Sequence, residues 1–213
     1  PATYDVEVNV VDMTISLKKH YAGFKADCML ILGDAVKSGW DMSNSVAMLE
    51  GEPGVWTATV YLAADQGFKF YAENDIFNGF QYRAAGEENV TLAEGAATSL
   101  VSSEVNRNDS KFQVAEAGNY VITCDLNAGT ITVKKADYQN NEIVYAALWL
   151  VGDATENGWD LGQPVVLAQD ASNPMVYTAT ADLKEGELQV VVNKFTSYNS
   201  DVYVSDATDA TKA

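Results

Sequence analysis

Histidine is nearly missing from this chain. His20 is the only one in 213 residues, and Cys28 and Cys124 are the only cysteines. A zinc site or a Cys/His nucleophile pair therefore lacks its parts. No G-x-S-x-G, H-E-x-x-H or P-loop pattern occurs either. Positive charge is scarce: 13 Lys and Arg stand against 30 Asp and Glu, for a net charge of −17. The basic residues cluster only as two Lys-Lys pairs, Lys18–Lys19 and Lys134–Lys135. A field of that sign repels phosphate backbones and sulfated or uronate polymers, so no nucleic-acid partner is expected. A neutral ligand meets no such penalty. No apolar run approaches the ~20 residues of a membrane-spanning helix, and no segment holds a 3.6-residue period. The chain opens at Pro1 without a Met, which reads as a mature or trimmed fragment.

What is present is apolar and aromatic. Apolar residues make up 47% of the chain, enough for a real core, and there are four Trp, eleven Tyr and seven Phe. The organising stretch is Met29–Asp41, M-L-I-L-G-D-A-V-K-S-G-W-D, which returns 119 positions on as Leu148–Asp160, L-W-L-V-G-D-A-T-E-N-G-W-D. A period this long marks tandem domains rather than a solenoid. Tyr4–Lys19 and Tyr120–Lys135 also echo each other: equal in length, matched at the inward positions and both ending in Lys-Lys.

These repeats divide the chain into residues 1–19, the closing hairpin of a preceding unit; 20–136, a complete unit; and 137–213, a second unit that stops short of its own closing hairpin. The chain is then either a piece of a longer array, the preferred reading, or one whose N-terminal hairpin folds back onto the second unit. Pairing of Val6 and Val8 with a strand from 148–204 would mark the fold-back. Strands are expected at Met29–Leu32, Val46–Leu49, Val55–Leu62, Phe68–Tyr71 and Phe112–Val114. Residues 84–110 read as a long polar loop carrying one weak strand, Asn89–Leu92. Val176–Leu183 answers Val55–Leu62, and Leu188–Val192 answers Phe68–Ala72. Many short strands punctuated by Gly, Pro and Asn turns predict an all-β fold of tandem immunoglobulin-like antiparallel β-sandwich domains. Cys28 and Cys124 could be neighbours in such a sandwich; two buried free thiols are preferred to a disulfide.

Candidate chemistry is thin on the catalytic side. Asp34 with Asp41, and Asp153 with Asp160, are the carboxylate pairs that glycoside hydrolysis would need. They sit at turn positions in both repeats, where Asp caps and bends backbone, and that role is preferred. The oxygens around Asn74–Asn78 fit no EF-hand loop. No catalytic residue, metal site or cofactor is expected.

The aromatics suit sugar recognition, in which an apolar pyranose face stacks on a ring and the hydroxyls meet polar side chains. Trp56 and Tyr177 face inward by period. Trp149 faces a second layer or solvent, and Trp40 and Trp159 either plug a sandwich end or form platforms. Lys69 and Tyr71 point outward together, with Phe77, Phe80, Tyr82 and Arg83 following in an Asn/Gly-rich stretch. The second unit offers Lys194, Phe195, Tyr198 and Tyr203.

Gly-Asp-Ala…Gly-Trp-Asp, then Pro-Gly-Val-Trp-Thr-Ala-Thr-Val-Tyr-Leu, then Gly-Phe-Lys-Phe, resembles the repeated domains of SusE/SusF-type outer-membrane lipoproteins. The resemblance implies a non-catalytic protein that binds α-glucan or a related neutral polysaccharide or oligosaccharide. It further implies a cell surface, anchored beside a TonB-dependent SusC-like transporter and a SusD-like partner. Carried over, the basic contacts are Lys69 and Arg83, and the platform comes from Trp40, Tyr71, Phe77 or Tyr82. In the second unit Gln189 and Val191 replace Lys69 and Tyr71, which moves any site toward Trp159, Lys194 and Tyr198. The alternative is a structural sandwich protein that spaces or contacts the transporter's partners.

Overall fold

The computed structural model describes residues 4–19, 26–75, 79–105, 107–142 and 144–204. The chain is all-β: its strands form three sheets, and the one helical element among the described residues is a single 3-10 turn at Lys194–Thr196. No helix there is long and apolar enough to cross a membrane.

The first sheet is a hairpin of β1 (Tyr4–Asn9) and β2 (Thr14–Lys19), which among the described residues pair only with each other. Val6 and Val8 thus pair with Leu17 and Ile15, not with a strand of 148–204.

The first repeat builds two layers. One holds β3 (Leu30–Gly33), β4 (Val46–Ala47), β7 (Phe68–Tyr71) and β8 (Gln81–Ala84), with β9 (Val90–Thr91) and β11 (Phe112–Gln113) joined at β7. The other holds β5 (Leu49–Glu50), β6 (Val55–Leu62), β12 (Gly118–Asp125) and β13 (Thr130–Lys135). Strand β10 (Thr98–Ser102) belongs to both, since Thr98 and Ser99 pair with β13 while Leu100–Ser102 pair with β8. Period-two alternation fills the space between the layers. Trp56, Ala58, Val60 and Leu62 of β6 face Met29, Ile31, Phe68, Phe70 and Phe112 across it. The rings of Phe68, Phe70 and Phe112 lie 5.8–6.1 Å apart.

The polar stretch 84–110 holds more strand than its composition predicts. β10 is paired along its length, because neighbours on both sides supply its hydrogen bonds. Cross-strand pairing overrides weak local propensity here.

The second repeat forms a five-stranded sheet of β14 (Ala147–Val151), β15 (Val165–Gln169), β16 (Tyr177–Thr178), β17 (Gln189–Val191) and β18 (Val202–Tyr203), in the order β16-β15-β14-β17-β18. Its register copies the first repeat. Leu30↔Tyr71 is answered by Trp149↔Val191, Leu49↔Thr57 by Ala168↔Thr178, and Phe70↔Tyr82 by Val190↔Tyr203. The glycine of each Gly-Asp-Ala explains itself. Gly33 and Gly152 have φ of 146° and 135°, and a Cβ on either would run into the carbonyl oxygen of Gly67 or Glu187. Only glycine permits that approach. The expected long strand at Val176–Leu183 is cut to Tyr177–Thr178. Its counterpart β6 is paired over eight residues by β12, whereas 179–183 has no ladder partner among the described residues.

The two repeats meet face to face. Leu30 and Leu32 of β3, Ala47 and Tyr71 pack against Ala147, Trp149, Val151 and Val191. Trp149, which could have faced a second layer or solvent, is 1% exposed in this junction, with Phe195 edge-on at 6.5 Å. Polar bonds close the rim. The buried Asn193 Nδ2 donates to Ser45 O at 3.2 Å and Ser45 Oγ at 2.9 Å, and its Oδ1 accepts from Phe195 N. Thr196 Oγ1 donates to Ser43 O, Asp201 N to Asn44 Oδ1, and Asn74 Nδ2 to Phe195 O.

Cys28 lies in the junction and Cys124 in the sandwich core, both as buried free thiols. Burial, then the charges of Asp27 and Glu73, push the Cys28 thiol up to about 12, and burial raises Cys124 well above the usual thiol range. Neither should react with a thiol reagent in the folded protein, and two equivalents should react in denaturant; one or none there would reveal a disulfide. Trp149→Ala should cost about 3–5 kcal/mol in urea unfolding, since neither sheet can collapse into the space. A loss under about 1 kcal/mol would mean the junction does not form in solution.

Candidate ligand-binding surfaces

In the first repeat, strand register gathers the expected residues on one face. Tyr71 stands opposite Gln81 across β7 and β8, which places Lys69, Tyr71, Gln81 and Arg83 together on the side away from the sandwich core. That side is covered. Lys69, Tyr71 and Arg83 are all under a tenth exposed. Lys69 Nζ binds Asp109 Oδ1 at 2.5 Å, and Lys111 Nζ binds Asp109 Oδ2 at 2.8 Å. Both ammonium groups lie over the Trp40 ring, at 5.4 and 5.7 Å from its centroid, and Lys69 also lies 5.5 Å from Tyr71. The ring also packs on the junction, and its Nε1 donates to Asp34 Oδ1. Arg83 donates to Asn108 O and Gln81 Oε1, each at 2.6 Å, while its Nε has no hydrogen-bond partner among the described residues.

Here two ammonium groups share one carboxylate. Desolvation lowers the Lys69 pKa, and Asp109 works against that without reversing it. For Asp109, partial desolvation is the largest single influence and acts upward. The hydrogen bonds and charges of Lys111 and Lys69 together outweigh it and hold the carboxyl below its usual range. Desolvation also raises the Tyr71 phenol. Trp40, Asp109 and Lys111 reach the surface, but the ring is half-buried and both lysines lie over it. Sequence reasoning missed Asp109 and Lys111, which lie in a polar loop; the signal was the need of an outward Lys69 for a counter-charge.

One expected member falls away. Tyr82 is fully buried in the sandwich core, edge-on to Phe80 at 5.2 Å. It is not a platform, because β8 alternates: Gln81 and Arg83 take one face, so Tyr82 and Ala84 take the core face. Phe77 lies outside the described residues.

The second repeat presents what the first does not. Trp159 and Tyr198 are 38% and 41% exposed, their rings 6.3 Å apart at 61°, and the Tyr198 hydroxyl donates to the Trp159 carbonyl. Ser197 and Tyr198 have φ of 51° and 63°, left-handed values that cost a non-glycine residue. Here the strained turn follows the 3-10 turn that Asn193 caps. Lys194 lies 5.0 Å over Phe195, at the edge of the junction rather than on this pair. Two of the repeated aspartates do turn work: Asp41 Oδ1 accepts from Ser43 N, and Asp160 Oδ1 from Gly162 N. Among the described residues no group of three or more His, Cys, Asp or Glu could hold a metal.

No protein-family model matches the chain, and no curated protein does. Among solved structures the chain is similar to the crystal structure of SusF from Bacteroides thetaiotaomicron, at 11% identity and a TM-score of 0.37, over 94% of this chain and 52% of that one. The chain thus spans about half the length of that protein.

The Asp109 bridge has a pH signature. A carboxylate with a lowered folded pKa stabilises above its unfolded pKa, and that contribution is lost as pH falls through the folded value. Below about pH 4 the Tm of the native chain should therefore fall more steeply than that of Asp109→Asn. Parallel Tm curves would show that Asp109 is not paired with the two lysines in solution.

Proposed function

We propose that this chain is a non-catalytic glycan-binding protein of SusE/SusF type. It holds a neutral, α-glucan-like polysaccharide at the outer-membrane surface for a Sus-type uptake system with SusC- and SusD-like components. The carrying observation is the exposed Trp159–Tyr198 pair, two rings held at a fixed angle by a strained turn. Pre-positioned rings give a pyranose face a surface to stack on without an ordering cost. The acidic chain with few free cations and the repeated Gly-Asp-Ala…Gly-Trp-Asp motif support the same reading.

A second reading is favoured by a specific observation. Lys69, Tyr71 and Arg83 are buried, Tyr71 in the packing between repeats and Lys69 and Arg83 against the first repeat's own Asp109 and Asn108. That repeat then serves as a spacer, with the ligand surface on the second.

Affinity electrophoresis in gels containing a neutral glucan, a fructan or a mannan tests this. At least one neutral polysaccharide should retard the native chain. Trp159→Ala combined with Tyr198→Asn, which suits the left-handed backbone, should weaken retention by about tenfold or more, equivalent to about 1.4 kcal/mol. Unchanged retention in the folded double variant would place the ligand elsewhere, and no retention by any of the gels would remove the binding reading.

A further inference from the structure

The loop that carries Tyr198 is held from the first repeat. Its two ends meet within the second sheet, where Val192 N donates to Asp201 O at 3.2 Å. Bonds to the first repeat flank Tyr198 on both sides. Before it, Asn193 Nδ2 donates to Ser45 O and Ser45 Oγ, and Thr196 Oγ1 donates to Ser43 O at 3.2 Å. Asn74 Nδ2 donates to Phe195 O at 2.7 Å. After it, Asp201 N donates to Asn44 Oδ1 at 2.7 Å. The Tyr198 hydroxyl itself donates to the Trp159 carbonyl.

Asn193 and Ser45 form the centre of this contact, both 0% exposed. The planar amide of Asn193 faces two ways. Its nitrogen is fixed on Ser45, and its oxygen accepts from Phe195 N at 2.9 Å, which starts the 3-10 turn. Because the amide is rigid, holding the nitrogen also aims the oxygen, and with it the turn. The turn runs out into Ser197 and Tyr198, two left-handed non-glycine residues in a row. Such a backbone persists only where its surroundings hold it, and here those surroundings include the first repeat. Repetition does not explain the pair. Glu73 stands at the place of Asn193 in the first repeat, and Pro164 at the place of Ser45 in the second. The bond belongs to the contact between the repeats, not to what they share.

We propose that Asn193 and Ser45 are positioning residues for the Trp159–Tyr198 surface, so that the second repeat holds a sugar at full strength only while docked on the first. The proposal rests on the reading of that ring pair as the glycan surface. The effect runs both ways. A ligand that prefers the docked arrangement must tighten the docking, because the coupling between two sites is reciprocal. The first repeat then contributes to binding through its residues 43–45 rather than through its own Trp40 cluster.

Asn193→Ser combined with Ser45→Ala tests this in the full chain. Serine keeps an oxygen that can cap the turn but is too short to cross the junction. Removing the donor together with its side-chain acceptor limits the cost to stability. The folded variant should lose the NMR cross-peak between the Trp159 and Tyr198 rings. Its retention in the polysaccharide gel that best holds the native chain should weaken about tenfold. A cross-peak or a retention equal to the native chain's in the folded variant would overturn the proposal. A second measurement needs no variant: saturating the native chain with an oligosaccharide of that polysaccharide should slow hydrogen exchange at the amides of 43–45. Unchanged exchange there would overturn it as well. A native chain that no gel retards would remove the glycan reading instead, leaving the cross-peak to decide whether the two residues position the rings.

Discussion

A strand with apolar residues on both faces must be covered twice, and two such strands set this molecule's layout. β3, with Met29 just before it, sends Met29 and Ile31 into the sandwich, so Leu30 and Leu32 need a second cover. β14 turns Trp149 and Val151 toward them. Burying these faces against each other supplies the hydrophobic gain, and Asn193, Thr196 and Asp201 satisfy polar groups at the edge. The contact also decides what happens around it. Lys69 lies on the covered side of β7, where an unpaired ammonium would be costly, so Asp109 and then Lys111 are drawn in, with Trp40 beneath both.

The layout was legible where the signal was local. Alternation in Val55–Leu62 and the paired Gly-Asp-Ala turns located the strands and their offset, and the register of the second sheet follows that offset residue by residue. What alternation cannot say is what lies on the other side of a sheet. Lys69 and Tyr71 do point away from the sandwich core and are buried nonetheless, Tyr71 against the second repeat and Lys69 against Asp109 and Trp40. Tyr82 was legible in principle, because Gln81 and Arg83 flank it; the Asn and Gly residues just before it hid the strand. β10 was not legible, because its hydrogen bonds come from β8 and β13, both distant in sequence.

The two repeats share a backbone and differ in how they spend their aromatics. Where the first has Lys69 and Tyr71, the second has Gln189 and Val191, so no cation needs neutralising there. Trp159, the counterpart of Trp40, meets Tyr198 instead, with no lysine over its ring among the described residues. One substitution pair on β17 thus separates a tryptophan locked under charge from one open to solvent.

The segment that carries Tyr198 is anchored mainly across the junction. Its hydrogen bonds to Ser43, Asn44 and Ser45 join residues 148–157 positions apart. Contacts that distant close only after the intervening chain has folded, because loop-closure entropy opposes them until other contacts reward it. The aim of Tyr198 at Trp159 therefore depends on the docked junction. A chain halted before its repeats dock would hold a finished sandwich core and still lack the turn that aims Tyr198 at Trp159.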